Sequence, residues 1–580
     1  MHDDHEAVTP RHQSDPAGRA GAAAAGSKRD RSARGSQPRT APAGESVPAR
    51  LRRLSGSIGG VLSAAALVAA GGGLVAATAV APQLPGSRPL EAPLVAVPAG
   101  SSVGVCPGPA RLLQGTPVGT DPQFSPESAT ARSAVNAVVI SSSRGELPGS
   151  RLAALSGSRL VEVAKATPAT AAPTTSPAPG AAASALRAGV VPQRGVDAVS
   201  VLSADAQGNQ QPSAGATMSY TATDGDLRGA AAAACQRPAN DLWLVGANTA
   251  LGRTAVLNLS NASGTPATVS LDLFGAKGPI QAPGSRGLLV APGSTRSVIL
   301  AGLAPGQDQL SVRVRSTGGP VAAVIQQSVL RGLTPGGVDF IAPGTAPATR
   351  QVISGIDIQN PDALTALGAK TGFADAKPAL QITVPGAADA VVEVKLFGRD
   401  GQKALPGGGV VTAKAGAVTE VSLAGVPAGH YTVTAGSDVS FAAAARVTRG
   451  LKAEDAADFA WAPSSARLGS QHVVPVPRTG ERFLMFGAPD GRATITYTPI
   501  TADGKVRTAA TVDIAGGTTA SVKVPGEVGG SPLVGYLVSA AGDVAYGAVL
   551  LEQGGRSDIA SIPVTPGAAG QEQLPVVLGY

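Results

Sequence analysis

The sequence predicts an all-β exported region, built from tandem β-sandwiches, that follows a single N-terminal transmembrane helix. Three observations lead to this prediction. An uncharged apolar stretch runs from Ile58 to Val80 behind a basic tail. The remainder is rich in turn-forming residues, with Gly 75 and Pro 47 in a chain of 580 residues. One pattern of short alternating strands recurs along the second half of the chain, which indicates repeated domains.

The N-terminal end combines a polar tail with an apolar stretch. Residues 1–53 are a low-complexity mixture of Ala, Gly, Ser, Arg and Pro, and such a segment buries too little apolar surface to fold. The stretch from Ile58 to Val80 is roughly 34 Å long as a helix, enough for a hydrocarbon core of about 30 Å. We therefore predict a disordered cytoplasmic tail at 1–53 and a transmembrane helix, a signal anchor, at 54–81.

The orientation follows from the charges. Arg50, Arg52 and Arg53 directly precede the apolar stretch, which predicts a cytoplasmic N-terminus and an extracytoplasmic bulk of the chain. The predicted location is thus the cell membrane, with a single span. A cleaved signal peptide is the alternative, because Ala79-Val80-Ala81 fits the small-x-small cleavage pattern.

Beyond the span we predict one divergent leading unit and three related ones. The leading unit contains a Pro-rich stalk and a Thr/Pro-rich insertion at 166–180. The predicted domains are the stalk with the divergent β-domain at 82–238, and β-sandwiches at 239–345, 346–465 and 466–580.

The repeat defines these units. Corresponding strands lie at 269–275, 392–398 and 493–498, and again at 293–300, 416–423 and 517–524. A turn and a closing strand follow at 317–324, 436–443 and 541–548, with a weaker match at 223–230.

Alternation within the strands gives the fold class. Val392, Val394 and Leu396 alternate with Glu393 and Lys395, which is typical of a half-buried antiparallel strand. About seven short strands per hundred residues suit an immunoglobulin-like β-sandwich. A β-propeller is the rival, but its blades repeat every 40–50 residues or so, whereas these copies recur at the spacing of whole domains.

The two cysteines predict a disulfide. Cys106 and Cys235 both lie beyond the span, where export keeps disulfides oxidised, so we expect one bridge between the first and last strands of the leading unit. A metal site would need more ligands, because His430 and His472 are the only histidines beyond the span. We therefore predict neither a metal nor another cofactor.

No catalytic residue is predicted. The 100–104 segment fits the Gly-x-Ser-x-Gly nucleophile pattern, but Pro107 and Pro109 follow it where that motif needs a helix. Trp243 and Trp461 lie at the starts of units, which favours packing over ligand binding.

Two segments near the joints of the predicted units do not follow the strand pattern. The acidic residues Glu454, Asp455 and Asp458 are expected to form a solvated turn rather than a cation site, and 361–364 a brief helix or loop.

The overall charge excludes one class of partner. The net charge is +7, but the tail supplies +4 of it, with ten Lys and Arg against six Asp and Glu. The exported region is thus nearly neutral without a basic cluster, so no nucleic acid is expected.

Several motifs resemble those of an uncharacterised actinobacterial family of membrane-anchored or secreted envelope proteins, classed as a domain of unknown function. They are the basic tail and span, Cys-Pro-Gly-Pro at 106–109, Cys-Gln-Arg-Pro at 235–238 followed by 242–246, and the strand entry at 316–320. The resemblance covers about residues 50–580. Its members are often encoded beside a large membrane glycosyltransferase, which implies a role in the cell envelope and supplies no catalytic residues.

Together these observations predict a non-enzymatic, membrane-anchored extracytoplasmic scaffold or binding protein that assists surface glycan assembly. Its expected partner is an envelope protein such as a glycosyltransferase. A cell-wall glycan-binding module is the alternative, although aromatic residues make up only 3% of the chain. An exported hydrolase is a third possibility and would depend on His430 or His472.

Overall fold

The structure is a computed structural model that describes residues 94–97, 100–113, 115, 125–142, 145–167, 186–207, 211–450, 457–553, 556–567 and 572–575. The predicted tail and transmembrane helix lie outside these ranges, as does most of the Thr/Pro-rich insertion. No helix within the ranges is long and apolar enough to cross a membrane. The prediction of an all-β fold is confirmed for the described residues, whose sheets are antiparallel throughout.

The strands between Ser102 and Pro563 fall into four modules of eight strand positions each. Module 1 contains β2 (Ser102–Cys106), β3 (Arg132–Ile140), β4 (Ser150–Ala154), β5 (Arg159–Ala164), β6 (Ala188–Gly195), β7 (Ser200–Ala204), β8 (Ala214–Ala222) and β9 (Gly229–Ala234). Module 2 contains β10 (Asp241–Ala247), β11 (Arg253–Asn261), β12 (Ala267–Gly275), β13 (Gly278–Ile280), β14 (Leu288–Val290), β15 (Ser294–Ile299), β16 (Leu310–Gly318), β17 (Ala322–Arg331) and β18 (Thr334–Ile341).

Modules 3 and 4 repeat this arrangement with small variations. Module 3 contains β19 (Ala348–Ile358), β20 (Ala379–Thr383), β21 (Ala390–Gly398), β22 (Gly401–Lys403), β23 (Val410–Ala413), β24 (Val418–Ser422), β25 (Gly429–Arg449) and β26 (Asp458–Pro463). Module 4 contains β27 (His472–Pro475), β28 (Glu481–Ala488), β29 (Ala493–Thr501), β30 (Ala510–Ile514), β31 (Thr518–Lys523), β32 (Glu527–Val528), β33 (Ser531–Gly542), β34 (Tyr546–Glu552) and β35 (Ile559–Pro563). The remaining strands, β1 (Leu94–Val97) and β36 (Glu572–Pro575), pair with each other.

All four modules share one strand order. The first sheet has the positions 1-6-3-4 and the second 5-2-7-8. In modules 2 and 3 two short strands share position 4, and in module 3 the long β25 fills positions 6 and 7 by passing from one sheet into the other. In module 4 the two-residue β32 pairs with β33 alone and has no position of its own, so β33, β34 and β35 are positions 6, 7 and 8. In the immunoglobulin constant-type order, by contrast, the first strand lies beside the second and the seventh beside the sixth. Relative to that order, the first and fourth strands of these modules lie in the sheet of strands 3 and 6, and the seventh lies in the sheet of strands 2 and 5.

Side-chain alternation builds the module cores. In β21, Val392, Val394 and Leu396 are buried while Glu393 is exposed. The apolar faces of the two sheets of a module pack on each other, as Leu271 of β12 and Leu257 of β11 do in module 2. The predicted alternation is thus observed, and these cores hold the two sheets of each module together.

The four modules close into a ring through their eighth strands. The core of module 1 includes Phe340 of β18, and that of module 2 includes Phe459 of β26. The core of module 3 includes Ile559 of β35, and that of module 4 includes Ala232 of β9, which completes the circuit. The eighth strands therefore surround a common axis, whereas the sequence predicted β-sandwiches in tandem.

Asp458 lies at the centre of this ring and is 1% exposed. Its Oδ1 accepts hydrogen bonds from the backbone N–H groups of Val338 at 3.2 Å and Phe459 at 3.0 Å. Its Oδ2 accepts from Ala230 at 2.9 Å and Ile559 at 3.1 Å. One carboxylate thus binds the eighth strand of every module. The prediction of a solvated turn is wrong for Asp458, while Glu454 and Asp455 lie outside the described residues.

Two glycines make room for this carboxylate. Gly229 and Gly337 precede the donors of β9 and β18 and have φ of +140° and +107°. A Cβ at either position would approach Asp458 Oδ1, at 2.8 Å from Gly229 and at only 2.3 Å from Gly337. Positive φ and absent side chains are the properties that only glycine combines without strain.

The structure corrects the position of segment 223–230 within the repeat. Segment 223–230 matches in sequence the turn before the closing strand of the other units, but it lies between the seventh and eighth strands of module 1. In module 1, the turn equivalent to those at 317–324, 436–443 and 541–548 lies between β7 and β8, the sixth and seventh strands. Between β19 and β20 of module 3, the segment predicted as a brief helix or loop is helix α1 (Pro361–Gly368), capped by the Asn360 side chain.

Candidate functional site

A cleft of about 260 Å³ opens where the eighth strands of modules 1, 2 and 4 end. Chain segments that directly follow β9, β18 and β35 form its walls, so the ring geometry positions it close to the common axis. It is lined by Ser102, Val103, Gly104, Leu202, Pro212, Ala214, Gly215, Ala216, Ala234, Cys235, Gln236, Arg237, Leu242, Ala342, Pro343, Gln471, Val473, Pro563, Thr565, Pro566 and Gly567. We call it the axial cleft.

The lining of the axial cleft is aliphatic with few polar groups. None of the described lining residues is aromatic, and Arg237 is the only charged one. Arg237 donates a hydrogen bond of 2.7 Å from Nη2 to Oε1 of Gln211, and burial lowers the pKa of its guanidinium. An apolar cleft whose described lining includes one cation, on an exposed side chain, favours an apolar ligand that carries a carboxylate.

Cys235 of the predicted disulfide lines this cleft. Cys106 at the end of β2 is bonded to Cys235, which directly follows β9. The bond connects the first strand of module 1 to the end of its eighth strand, as the sequence predicted. Ser102 of the Gly-x-Ser-x-Gly segment also lines the cleft, but it begins the strand β2 and is buried.

A second site lies at the joint between modules 3 and 4 and contains His430. One oxygen each of Asp357 and Glu552 lies near its Nε2, with Glu552 Oε1 at 3.3 Å and Asp357 Oδ1 at 3.8 Å. The three ligand atoms lie within 4.8 Å of one another. We call Asp357, His430 and Glu552 the joint cluster.

Two further side chains orient the joint cluster. Arg449 Nη1 lies 2.6 Å from Glu552 Oε2 and 3.7 Å from Asp357 Oδ2, so it engages the carboxylate oxygens that face away from the histidine. Ser521 Oγ lies 2.8 Å from His430 Nδ1. Of the residues in the joint cluster, the sequence singled out only His430, because the other residues come from distant strands.

Electrostatics in the joint cluster follow from burial and charge. Burial, and then the neighbouring Glu552 carboxylate, raise the pKa of Asp357 to about 6, against the opposing effect of Arg449 and His430. Burial also acts to raise the pKa of Glu552, but its contacts with His430 and Arg449 lower it on balance. Two carboxylates therefore face one guanidinium in a partly buried site.

His472 is buried and has a structural role in module 4. It is 3% exposed, its Nε2 accepts a 2.7 Å hydrogen bond from the backbone N–H of Gly469, and its Nδ1 donates one of 2.7 Å to the carbonyl of Thr565. Burial lowers its pKa. The structure thus separates the two histidines, and only His430 lies among other titratable groups.

Both tryptophans are buried, in agreement with the predicted packing role. Trp461 of β26 lies over Gly246 of β10, where a Cβ would come within 2.4 Å of its ring. Its backbone N–H donates to Asp339 Oδ2 at 2.7 Å. Trp461 therefore fastens module 3 to module 2.

These observations define an all-β protein of repeated two-sheet modules that carries an internal disulfide and an apolar axial cleft. The chain belongs to the family of unknown function DUF5719, whose model matches residues 190–525. The match begins in β6 of module 1 and ends after β31 of module 4, so it includes parts of all four modules. No curated protein and no solved structure gives a significant match.

Proposed function

We propose that this chain is a non-enzymatic scaffold or binding protein of the bacterial cell envelope, anchored by a single span at 54–81 with its N-terminus in the cytoplasm. Its axial cleft would bind an extended apolar segment, carrying an acidic residue, of an envelope protein. The aliphatic lining, in which Arg237 is the one charge among the described residues, carries this proposal. The disulfide between Cys106 and Cys235 supports the extracytoplasmic location.

The ring suits this role because a binding site shared by several modules needs them held in fixed relative positions. The cleft has walls from modules 1, 2 and 4. Asp458 binds the eighth strands of all four modules. In this proposal the modules are immunoglobulin-like sandwiches in their central strand pairs, positions 2–5 and 3–6, with an eighth strand added for assembly.

The resemblance to actinobacterial envelope proteins encoded beside a glycosyltransferase suggests that such an enzyme is the partner. Aliphatic and backbone contacts suffice to bind an extended polypeptide. A glycan-binding module instead stacks sugar rings on exposed aromatic side chains, which the described cleft lining does not offer. A protein partner in surface glycan assembly is therefore favoured over a glycan.

Site-specific cross-linking in cells tests this proposal. A photoreactive residue is placed at Ala342 in the axial cleft, and at Leu251, which is 98% exposed and outside the cleft, as the control. We expect position 342 alone to capture an envelope protein, through a segment containing Asp or Glu, and Arg237→Glu to abolish capture. Equal capture from both positions, or capture of polysaccharide alone, would contradict the proposal.

An exported hydrolase is the second candidate, favoured by the contacts of Ser521 with His430 and of His430 with Glu552. This series of contacts resembles the nucleophile, base and acid of a catalytic triad. Ser521, however, lies within the strand β31 rather than on an exposed turn. Turnover of an envelope glycan or peptide that is lost in Ser521→Ala would establish this function instead.

A further inference from the structure

We propose that Asp357, His430 and Glu552 bind a divalent transition-metal cation, Zn²⁺ in the first instance, at the joint between modules 3 and 4. This site is separate from the axial cleft and does not depend on its function. Asp357 of β19 and His430 of β25 belong to module 3, and Glu552 of β34 to module 4. A bound cation would therefore join two modules.

The distances suit a small metal ion. Zn²⁺ binds nitrogen and oxygen at about 2.0–2.2 Å, so neighbouring ligand atoms in a tetrahedral site lie roughly 3.4 Å apart. His430 Nε2 lies 3.3 Å from Glu552 Oε1 and 3.8 Å from Asp357 Oδ1. All three ligand atoms lie within 4.8 Å of one another, so side-chain adjustments of about 1 Å would bring them to this spacing. Three protein ligands also leave a fourth position for water or for a group of a partner.

The surrounding side chains present the ligand atoms to one point. Arg449 engages Oε2 of Glu552 and Oδ2 of Asp357, which leaves the other oxygen of each carboxylate directed at the histidine. Such outer contacts, which hold metal ligands in orientation, are characteristic of metal sites. Arg449 cancels one of the two carboxylate charges, so the joint cluster retains a net negative charge that a cation would neutralise.

Ser521 can hold the tautomer that metal binding needs, because its Oγ is able to accept a hydrogen from Nδ1 of His430. When Nδ1 of His430 donates its hydrogen to Ser521 Oγ, Nε2 carries a lone pair that faces two carboxylate oxygens. Three electron-rich atoms then converge, which is unfavourable unless a cation lies between them. An imidazole that donates through one nitrogen and binds metal through the other is the usual arrangement. One imidazole with two carboxylates favours Zn²⁺ over Mg²⁺ or Ca²⁺, which prefer oxygen ligands alone.

Zn²⁺ titration of the full-length chain, stripped with chelator and followed by calorimetry, tests the proposal. We expect one Zn²⁺ per chain. We expect an affinity at least 100-fold lower in His430→Gln, and about 10- to 100-fold lower in Ser521→Ala, which removes only the exposed hydroxyl behind the ligand. Asp389→Asn, an exposed carboxylate at another position in module 3, is the matched control and should bind as the unmodified chain does.

Replacing Zn²⁺ by Co²⁺ gives an independent readout, because the visible absorption of bound Co²⁺ reports nitrogen and oxygen ligands at low coordination number. We expect this spectrum in the unmodified chain and its loss in Glu552→Gln, which keeps the size of the side chain. Binding of Zn²⁺ that is equally strong in the unmodified chain, His430→Gln and Ser521→Ala would overturn the proposal. So would the lack of any binding to the unmodified chain, since His430 then only donates to the carboxylates.

Discussion

The carboxylate of Asp458 in β26 accepts a 2.9 Å hydrogen bond from the backbone N–H of Ala230 in β9, 228 residues earlier in the chain. This bond connects module 3 to module 1, which are not consecutive in sequence. Together with the bonds from Val338 and Ile559 it makes one buried side chain the common point of the four modules. The stability of the ring should therefore depend on this residue more than on any surface contact.

We expect Asp458→Ala to destabilise the protein by at least about 3 kcal/mol, because several buried N–H groups lose their acceptor at a cost of about 1–3 kcal/mol each. Separate unfolding of the modules should replace a single transition in calorimetry. Asp458→Asn should also destabilise, since its amide N–H groups would face backbone donors. Asp558→Ala, in the corresponding position of module 4, is the control and should keep a single transition. An unchanged melting profile in Asp458→Ala would refute the role of Asp458.

The sequence could predict the interior of each module but not the ring. In β21 one face is buried and the other is exposed to solvent, so Val392, Val394 and Leu396 alternate with polar residues in the sequence. In β26 every residue is buried, because the strand is enclosed by its own module and by its neighbours. A strand buried on both faces has no alternation to detect, so the sequence alone presents the eighth strands as joints between units.

The candidate sites are hidden for a related reason. The joint cluster combines His430 with Glu552, 122 residues away. Short motifs cannot reveal ligands that come from different modules, and the ring closure that brings them together depends on the eighth strands. The cysteine pair is accessible from the sequence because export and a count of two leave a single pairing.

The Asp339 carboxyl gives a pH-dependent prediction. Burial raises its pKa to about 8, against opposing backbone hydrogen bonds from Trp461 and Phe340. The unfolded chain loses this proton near pH 4 and the folded chain only near pH 8, so folding binds a proton between these values. The contribution of Asp339 to stability is thus greatest below pH 4, falls as pH rises to about 8, and is constant above.

Asp339→Asn should remove this loss, because an amide stays neutral and its oxygen can still accept from Trp461. Relative to the unmodified chain, we expect the variant to gain about 1–3 kcal/mol between pH 5 and pH 9 in urea unfolding. Asp272→Asn, on the surface of module 2 beside Arg315, is the control and should show no such gain. A constant difference between Asp339→Asn and the unmodified chain across this range would contradict the buried neutral carboxyl.

His472 should make module 4 sensitive to acid. Burial lowers its pKa below the usual value near 6.5, so the unfolded chain takes up a proton at a higher pH than the folded one. The contribution of His472 is therefore complete above about pH 6.5 and is lost as pH falls toward the lowered value. Protonation would also break the hydrogen bond from Gly469 to Nε2.

The pH dependence of His472→Gln checks this. We expect the variant to be less stable than the unmodified chain at pH 7.5 and the gap to narrow at pH 5, by up to about 1.4 kcal/mol for each pH unit of the window. Val473→Ala, which loses buried apolar contact without a titrating group, should show a gap independent of pH. If the gap for His472→Gln is as constant as that for Val473→Ala, the histidine is not held neutral.

The last prediction concerns the joint between modules 2 and 3, where Gly246 has φ of +122° beneath the ring of Trp461. Gly246→Ala should destabilise the protein by more than about 2 kcal/mol, since the new Cβ would meet the indole and the backbone would be strained. If the clash of the new Cβ with the indole outweighs the backbone strain, most of this destabilisation should disappear when the indole is removed. We therefore expect Gly246→Ala to cost at least about 1 kcal/mol less when Trp461→Ala is also present, in a double-mutant cycle measured by urea unfolding.

Gly278→Ala, at φ of +129° with no atom within 4 Å of the added Cβ, is the control that separates backbone strain from contact. Additive effects of Gly246→Ala and Trp461→Ala would show that close approach of the two modules does not require this glycine.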